Sequence, residues 1–422
     1  MKLRVSVLSV HTCPLAALGG KETGGMNVYV RELSRELGRM GMAVDVFTRS
    51  QNSGIDRVVT FGPNVRAIHI PAGPEAPLPR AVVYQHLPEF VERVEAFRQA
   101  ERTAYDLVHG HYWLSGVAGL RLRKLWAVPY VQMFHTLGRL KNAATRSRGA
   151  GETEPDLRLV WEDRIIEEAD RIVVASPVER ARMIWSYGAR PERITVIPCG
   201  VDTGLFRPMD QTVAKERLGL PPSPVLLYIG RLIPIKGIET LLEAVRLLTT
   251  EMSRRNPTLL VVGGDTDEPE NGHVAYLRRR VDELGLGEAV RFLGPQHQER
   301  LRLYYSAAHV TVMPSYYESF GMVALEAMAC GSPVVASRVG GLVTTVPDGV
   351  AGFLVPDGDV RALADRLERV LADPDLRRRL GREGVDWAAQ HRWSCVAEAV
   401  CREYAGLVGR ADARLASTRC RR

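Results

Sequence analysis

The feature that most constrains this chain is a repeated alternation of short apolar runs with helical segments. RVSVL near the start and VLLYI around Leu227 are almost continuously apolar, as expected of strands buried on both faces. Residues 27–40, which follow the first run, place their apolar side chains on one helical face. Strands that alternate with helices build parallel sheets covered on both faces. The alternation therefore predicts an α/β fold with doubly wound sheets.

The alternation stops and then restarts, which indicates two domains. The interruption lies near residues 198–208, PCGVDTGLFRP, whose glycines and prolines suit a hinge. A chain of 422 residues is also too long for one ordinary core. We therefore expect two Rossmann-like domains, residues 1–204 and 205–386, facing each other across a cleft at the carboxyl ends of their strands. A C-terminal helix at residues 387–410 is expected to pack back toward the first domain, and residues 411–422 to form a basic tail.

Composition and charge argue against several classes of protein. A net charge of +7 is mild for this length and suits anionic ligands, and no basic stripe with interleaved aromatic residues indicates nucleic-acid binding. No apolar run approaches the roughly 18 residues of a membrane helix, and the start is predicted to be a strand, not a signal peptide. The six cysteines form no CxxC pair, which argues against a metal site and against disulfides. We expect a cytoplasmic protein.

A glycine-rich stretch, LGGKETGG at residues 18–25, precedes the first helix. It has neither the G-x-G-x-x-G spacing of a dinucleotide site nor the G-K-[ST] ending of a phosphate-binding loop. Gly24 and Gly25 nevertheless lead directly into a helix N-terminus, where free N–H groups favour an anion. Taken alone, the stretch is equally compatible with a plain turn.

A second stretch, IGRLIPIKG, follows the first apolar run of the second half. Arg231 and Lys236 combine a forked set of donors with a mobile point charge, which together suit a diphosphate. The alternative is a solvated basic loop, and the stretch alone does not decide between the two.

A third stretch, SYYESFGMVALEAMACGSP, places two carboxylates around a helix start. Glu326 is the only charge in the apolar segment MVALEAMA and should therefore have a partner. Ser315 or Ser319 is predicted to cap the helix. Glu318 and Glu326 would suit sugar and ribose hydroxyls. Phosphate would be held by the unpaired amides at the helix start, which are those of Phe320, Gly321 and Met322.

Two further stretches in the first half, HGHYWLSG and MFHTLGRLKN, each follow a predicted strand. His111, Tyr112, His135 and Thr136 should therefore lie at the edge of the cleft. His135 is the histidine that we expect to be functional. The His-x-His pair is not a convincing metal site, because no third ligand stands at a fixed spacing.

GGMNVYVREL, FHTLGRLKN, GRLIPIKG and ESFGMVALEAMACGSPVV, in this order and over nearly the whole chain, resemble the retaining glycosyltransferases of family 4, which have the GT-B fold. The resemblance implies a nucleotide-sugar donor, usually UDP-linked, bound mainly to the second domain, with the acceptor on the first. It implies that Arg231 and Lys236 hold the diphosphate, that Glu326 takes the ribose hydroxyls, and that His135 touches the donor sugar near its reacting carbon.

The resemblance implies three sets of site residues: a catalytic set, a donor-binding set and a set that binds the acceptor. The catalytic set is His135, Arg231, Lys236 and Glu318. The donor-binding set is Gly24, Gly25, Arg231, Lys236, Glu318, Phe320, Gly321, Met322 and Glu326.

The chain is further similar to a branch whose acceptor carries a phosphate, namely the sucrose-phosphate synthases and the inositol-phosphate N-acetylglucosaminyltransferases. The residues that grip the acceptor phosphate there match Asn27, Arg80, Tyr112, Thr136 and Arg158. Arg80 departs from the usual lysine, which keeps the charge but changes the geometry. The motif PAGP followed by YQHLPEF slightly favours the sucrose-phosphate synthases, which would transfer glucose from UDP-glucose, over the inositol-phosphate enzymes. UDP-N-acetylglucosamine with inositol phosphate, or another family 4 acceptor, remains the alternative.

The resemblance implies front-face attack by the acceptor hydroxyl, with the departing diphosphate taking its proton and the protein supplying positioning and charge stabilisation. No tightly bound cofactor and no metal site are expected, and Mg²⁺ stimulation is left open, as is the choice between monomer and homodimer. A dinucleotide-dependent oxidoreductase is the alternative from another class, and the absent G-x-G-x-x-G argues against it.

Overall fold

The computed structural model describes residues 3–16, 24–149, 152–252, 256–264 and 272–419. Most of the glycine-rich stretch, residues 18–23, lies outside the described part of the chain, and so do residues 420–422 of the predicted tail.

The first domain alternates strands and helices from its first described residues. Its elements in chain order are β1 (Arg4–Leu8), α1 (Gly25–Arg39), β2 (Ala43–Arg49), β3 (Val58–Gly62), β4 (Val65–Ile70), α2 (Arg80–Gln85), α3 (Leu87–Ala100), β5 (Leu107–His111), α4 (Trp113–Trp126), β6 (Tyr130–Met133), α5 (Gly138–Arg148), α6 (Asp156–Glu168), β7 (Arg171–Val174), α7 (Pro177–Tyr187) and β8 (Ile194–Val196).

The sheet of the first domain is parallel apart from one edge strand. In the described residues its strand order is β3-β4-β2-β1-β5-β6-β7-β8, and only β3 runs antiparallel to its neighbour. The order reverses direction between β1 and β5, so a crevice opens above the carboxyl ends of these two strands. Successive residues of the central strands are buried because helices cover both faces of the sheet.

The second domain repeats the plan. Its elements are α8 (Gln211–Arg217), β9 (Val225–Ile229), α9 (Ile238–Leu247), β10 (Thr258–Val262), α10 (His273–Glu283), β11 (Val290–Phe292), α11 (Gln298–Ala307), β12 (Val310–Met313), α12 (Met322–Ala329), β13 (Val334–Ser337), α13 (Leu342–Thr345), β14 (Gly352–Val355), α14 (Val360–Ala372), α15 (Pro374–Ala389) and α16 (Trp393–Arg419).

The sheet of the second domain is parallel throughout its described strands. Its order is β11-β10-β9-β12-β13-β14, and the direction of winding reverses between β9 and β12. This is the strand order of a dinucleotide-binding fold, in which ligands bind at the reversal point. Residues that follow β9 and β12 are thereby brought side by side.

The C-terminal helices differ from the sequence prediction. Helix α14 ends and α15 begins at Asp373, whose Oδ1 accepts the N–H groups of Asp375 and Leu376 at 3.0 and 2.9 Å. Helix α15 then runs through the predicted domain boundary at 386/387. Helix α16 runs on to Arg419, over residues predicted as a tail, because the sequence ADARLA consists mostly of good helix formers.

The chain passes from the first domain to the second near Val201 and returns near His391. At this point the Val201 N–H donates to the carbonyl of His391 at 2.7 Å, and Val201 forms an isolated bridge with Arg392. Before the return α15 packs on α12, and after it α16 packs on α1. The two connecting segments are therefore held together where they cross.

Helix α16 binds the first domain through polar and aromatic contacts. Tyr404 Oη lies 2.6 Å from Nδ1 of His109, at the centre of the first sheet, and Glu403 pairs with Arg171 at 2.8 Å. The buried Trp393 ring stands edge-on to Tyr29 of α1, with centroids 5.4 Å apart. The first domain is thus completed by the last helix of the chain.

The part of the chain that the structure describes holds no helix with both the length and the apolar character that crossing a membrane requires.

We predict that Trp393→Ala lowers the thermal unfolding midpoint by several degrees. The indole is 4% exposed and lies directly over Gly200, so its removal leaves a cavity where the chain crosses between the domains. Such a truncation costs about 3–5 kcal/mol. The matched control is Trp185→Ala, because Trp185 is 86% exposed and its loss should cost no more than about 0.5 kcal/mol. Equal midpoints for the two variants, measured by scanning calorimetry, would contradict the packing described.

Candidate active site

One cavity of about 370 Å³ lies between the carboxyl ends of the two sheets. Its wall contains every site residue predicted from the sequence, which are Gly24, Gly25, Asn27, Arg80, Tyr112, His135, Thr136, Arg158, Arg231, Lys236, Glu318, Phe320, Gly321, Met322 and Glu326. The structure thus brings together residues from the two halves of the chain.

The loops after β9 and β12 meet because one glycine lets their backbones touch. Gly237 has φ of +66°, and a Cβ atom there would lie 2.0 Å from the carbonyl oxygen of Pro314. Beside it the Tyr316 N–H donates to the carbonyl of Ile235 at 2.9 Å. Any side chain at position 237 would force the two loops apart.

This contact aligns a lysine with a carboxylate. Lys236 Nζ lies 2.5 Å from Oε2 of Glu318, and both side chains are partly buried. Arg231 lies on the same wall of the cavity, and within the described residues its guanidinium makes no ion pair. An entering anion therefore meets one unpaired cation and one that a carboxylate neutralises only in part.

Two helix N-termini face each other across the cavity. A Cβ atom on Gly25, at the start of α1, would lie 3.5 Å from Sδ of Met322, at the start of α12. Asn27 holds the start of α1 in place, since its Oδ1 accepts the Gly24 N–H at 3.0 Å. The first N–H groups of each helix have no acceptor within their own helix, so both ends favour a negative ligand.

The predicted serine cap of α12 is wrong. The helix begins after Gly321, which has φ of +92°, and no side chain caps it. A Cβ atom at Gly321 would lie 2.5 Å from Leu342, so a glycine is required for close packing as well as for the left-handed backbone. The uncapped start leaves its N–H groups to a ligand.

Glu326 has the partner that its isolation in an apolar helix demanded. The hydroxyl of Tyr305 donates to Oε2 of Glu326 at 2.7 Å. Burial raises the pKa of Glu326 to about 7, although Tyr305 and Arg31 oppose the rise. The carboxyl is therefore close to half ionised at neutral pH and can exchange a proton when a ligand binds.

Arg80, Tyr112 and Arg158 form a basic cluster on the first domain. Both guanidinium groups donate to the Tyr112 hydroxyl, at 3.3 Å from Arg80 and 3.2 Å from Arg158. Nη2 of Arg158 also donates to the carbonyl and the hydroxyl of Thr136, at 2.6 and 3.1 Å. Arg158 is fully buried, and Nε binds Glu162 at 2.7 Å. The cluster thus places two guanidinium groups and the Tyr112 hydroxyl at the wall of the cavity.

Sequence reasoning missed two charged members of this cluster. Glu154 pairs with Lys141 and with Nη1 of Arg158 at 3.0 Å, and lies 3.9 Å from Arg80. Burial acts to raise the pKa of Glu154, but Arg158 and Lys141 outweigh it and hold the pKa at about 2. Glu154 lies two residues before the start of α6, so its pairing with Arg158 is not made along a helix and no helical spacing reveals it.

His135 lines the cavity on the first domain, whereas His111, which was predicted to lie at the edge of the cleft, is fully buried and does not line the cavity. Nδ1 of His111 lies 2.9 Å from Nε2 of His135, at the ends of neighbouring strands. Burial lowers the pKa of His135 to about 3, so its ring is neutral at physiological pH. Tyr112 and His135 both have positive φ, +74° and +61°, an uncommon backbone state for such residues.

Two family descriptions match consecutive parts of the chain. "Glycosyltransferase Family 4" matches residues 23–205, and "Glycosyl transferases group 1" matches residues 210–387. The boundary between the matches falls close to the segment near Val201 that connects the sheets.

The chain is similar over nearly its whole length to proteins named D-inositol 3-phosphate glycosyltransferase. The protein of that name from Nocardiopsis dassonvillei is 43% identical over 399 residues, which are 93% of this chain and 91% of the relative. D-inositol 3-phosphate glycosyltransferase 2 from Catenulispora acidiphila is 41% identical over 406 residues, 95% of this chain and 94% of the relative.

Solved structures share the architecture. Sucrose-phosphate synthase from Thermosynechococcus elongatus superposes with a TM-score of 0.87 at 38% identity, covering 96% of this chain and 99% of the other. Anabaena HepE in complex with UDP-glucose superposes with a TM-score of 0.74 at 20% identity, covering 96% and 100%, and shows the shared fold. The prediction of two doubly wound domains in a GT-B arrangement is confirmed.

We predict that Glu162→Ala destabilises the protein by about 1–3 kcal/mol, because the buried Arg158 keeps its pairing with Glu154 but its Nε loses the acceptor that Glu162 provides. Glu162 also accepts the Gly138 N–H at 2.9 Å, so the start of α5 loses a contact as well. The control is Glu168→Ala on the same helix, where Glu168 pairs at the same spacing with the largely exposed Arg164 and should cost less than about 1 kcal/mol. Denaturant unfolding that gave equal losses would refute the burial of charge described.

Proposed function

The chain belongs to the family 4 glycosyltransferases, and from that premise we propose that it transfers a sugar, with retention, from a nucleotide sugar to a phosphorylated polyhydroxy acceptor. The observation that carries the proposal is one cavity with two anion-binding walls of different construction. One wall contains Arg231, Lys236 and two helix N-termini. The other wall contains the basic cluster around Arg158. A reaction between two phosphorylated substrates needs such a pair of walls.

The wall of the second domain suits the donor. A diphosphate between Arg231, Lys236 and the starts of α1 and α12 would meet fixed donors and two favourable helix dipoles. Glu326 suits the two ribose hydroxyls, since an ionised carboxylate accepts both. Glu318 suits a hydroxyl of the sugar while it remains within reach of Lys236.

The wall of the first domain suits the acceptor phosphate. Arg80, Tyr112, Thr136 and Arg158 place two positive charges and two hydroxyl groups at fixed positions, and Asn27 lies at the same wall. A phosphate monoester accepts several charge-assisted hydrogen bonds at once, which a neutral sugar cannot do. The cluster therefore favours phosphorylated acceptors.

The carboxylates of the cavity favour front-face transfer without an enzymic nucleophile. Each is already held by a protein donor: Glu154 by three cations, Glu179 by the Ala175 N–H, Glu318 by Lys236 and Glu326 by Tyr305. In the proposed step the bond from the anomeric carbon to the diphosphate breaks and the acceptor oxygen bonds on the same face. The acceptor proton passes to the diphosphate, whose charge Arg231 and Lys236 stabilise.

Among phosphorylated acceptors we place an inositol phosphate first and fructose 6-phosphate second. This order reverses the one that the sequence motifs favoured, because relatives named for D-inositol 3-phosphate are 39–43% identical, against 38% for the sucrose-phosphate synthase. The synthase remains the second candidate because its TM-score of 0.87 spans 96% of this chain.

The test crosses UDP-glucose and UDP-N-acetylglucosamine with inositol 3-phosphate, fructose 6-phosphate and their unphosphorylated forms, and measures UDP release. We expect turnover with one phosphorylated pair. Arg80→Ala should raise the KM for that acceptor roughly 10- to 100-fold, since a hydrogen bond to a charged group is lost. The KM for the donor should stay within about twofold.

The control for Arg80→Ala is Arg164→Ala, which removes an arginine from the outer face of α6 and should leave both KM values unchanged. Equal turnover with unphosphorylated acceptors, or an acceptor KM indifferent to Arg80, would overturn the proposed acceptor class. No turnover with any pair would overturn the proposed substrates as a whole.

We predict that donor affinity depends on pH through Glu326. Because burial raises the pKa of this carboxyl to about 7 and ribose hydroxyls bind its ionised form, binding releases a proton. The dissociation constant of the nucleotide sugar should therefore rise roughly tenfold between pH 8 and pH 6. The phosphates of a nucleotide sugar are diesters that stay ionised over this range.

Glu326→Gln is the matched variant for this prediction, because the amide does not titrate. Calorimetric titration of Glu326→Gln with the nucleotide sugar should give a weaker affinity that does not change with pH over the same range. A wild-type affinity that is equally flat would show that Glu326 does not meet the donor as an ionising group.

A further inference from the structure

His135 lines the cavity and is hydrogen-bonded to His111, which is fully buried and does not line it. His111 ends β5, and His135 lies two residues beyond the end of the neighbouring strand β6. Nδ1 of His111 and Nε2 of His135 are 2.9 Å apart. Burial lowers the pKa of both rings, that of His135 to about 3, so both are neutral and one must donate to the other. The direction of this hydrogen bond decides the tautomer of each ring.

The buried surroundings of His111 indicate that direction. Its other nitrogen, Nε2, is buried and has no hydrogen-bond partner among the described residues. If His135 donated, His111 would carry its proton on Nε2 and bury an unpaired N–H. If His111 donates, Nε2 carries only a lone pair. Buried N–H groups without an acceptor are rarer than under-used acceptors, so the second arrangement is favoured.

The same arrangement leaves His135 with a proton on the nitrogen that is open to a ligand. His135 accepts at Nε2, so in its neutral state the proton resides on Nδ1. No described residue pairs with that Nδ1, which is not among the buried unpaired atoms, and the ring lines the cavity. The positive φ of His135 adds a backbone constraint that fixes where the ring leaves the main chain.

We propose that His111 is a positioning residue that holds His135 as its Nδ1–H tautomer, so that a neutral imidazole donates a hydrogen bond to an oxygen of the donor sugar. The part of this inference that concerns the sugar rests on the proposed function. The tautomer itself does not, because it follows from contacts within the protein.

The first experiment measures the tautomer in the enzyme without substrates. Imidazole ¹⁵N shifts, recorded on full-length protein labelled at histidine and assigned with His135→Gln, should show Nδ1 of His135 protonated and Nε2 unprotonated. The opposite pattern in the wild-type protein would overturn the proposal. Because no substrate is present, this result is independent of whether the proposed transfer occurs.

The variants of His111 separate hydrogen bonding from packing. In His111→Asn the side-chain amide can donate as Nδ1–H does, so the tautomer of His135 should be kept. In His111→Asp the carboxylate can only accept, so the proton of His135 should move to Nε2. The control is His109→Asn, which alters a buried histidine bonded to Tyr404 and should leave the His135 shifts in place. A His135 tautomer that is the same in all these variants would overturn the assignment.

The second experiment reads out function. With the substrate pair that supports turnover, His111→Leu should lower kcat roughly tenfold or more while the KM for the acceptor stays within twofold, and His111→Asn should recover most of kcat. Equal losses in the Leu and Asn variants, at equal thermal midpoints, would mean that His111 only fills space, and would overturn its positioning role.

Discussion

The parallel direction of the strands is the constraint on which the rest of this structure depends. Parallel strands in a sheet end at the same edge, so every loop that follows a strand contributes to one surface. In each sheet the winding reverses at one pair of strands, and many of the candidate site residues follow those strands or their neighbours. The cavity exists because two such edges face each other, and a residue that is remote in sequence becomes a neighbour in space.

Several charges of the cavity are paired inside the protein, so a ligand must exchange partners with them, although the guanidinium of Arg231 makes no ion pair among the described residues. Lys236 forms an ion pair with Glu318. Glu154 forms ion pairs with three cations of the first domain, Arg80, Lys141 and Arg158. A buried charge without a partner is costly, so these internal pairs keep the empty cavity stable. An entering anion must compete with them, which makes binding selective for ligands with enough charge to displace or share a carboxylate.

The sequence could predict the strands, the cleft and the residues on its walls, because apolar runs, glycines and isolated charges carry local signals. Local signals also existed for some elements that were missed. Helix α7 starts with the capping pattern S-P-x-E, in which Ser176 Oγ accepts the Glu179 N–H at 3.1 Å. Other features have no local signal: the contact of Glu154 with Arg80 spans 74 positions along the chain, and the uncapped start of α12 depends on packing against Leu342. Such pairings follow from topology and not from spacing.

The docking of α16 on the first domain has a consequence for the order in which the protein is made. Synthesis proceeds from the N-terminus, and domains generally fold as their residues emerge. Here the partner of Tyr29 and the hydroxyl that meets His109 come from Trp393 and Tyr404, close to the end of the chain. The first half therefore leaves the ribosome with part of its apolar surface uncovered, and it stays so until the second half has been translated. A nascent chain of this protein depends on its last helix to close its first core.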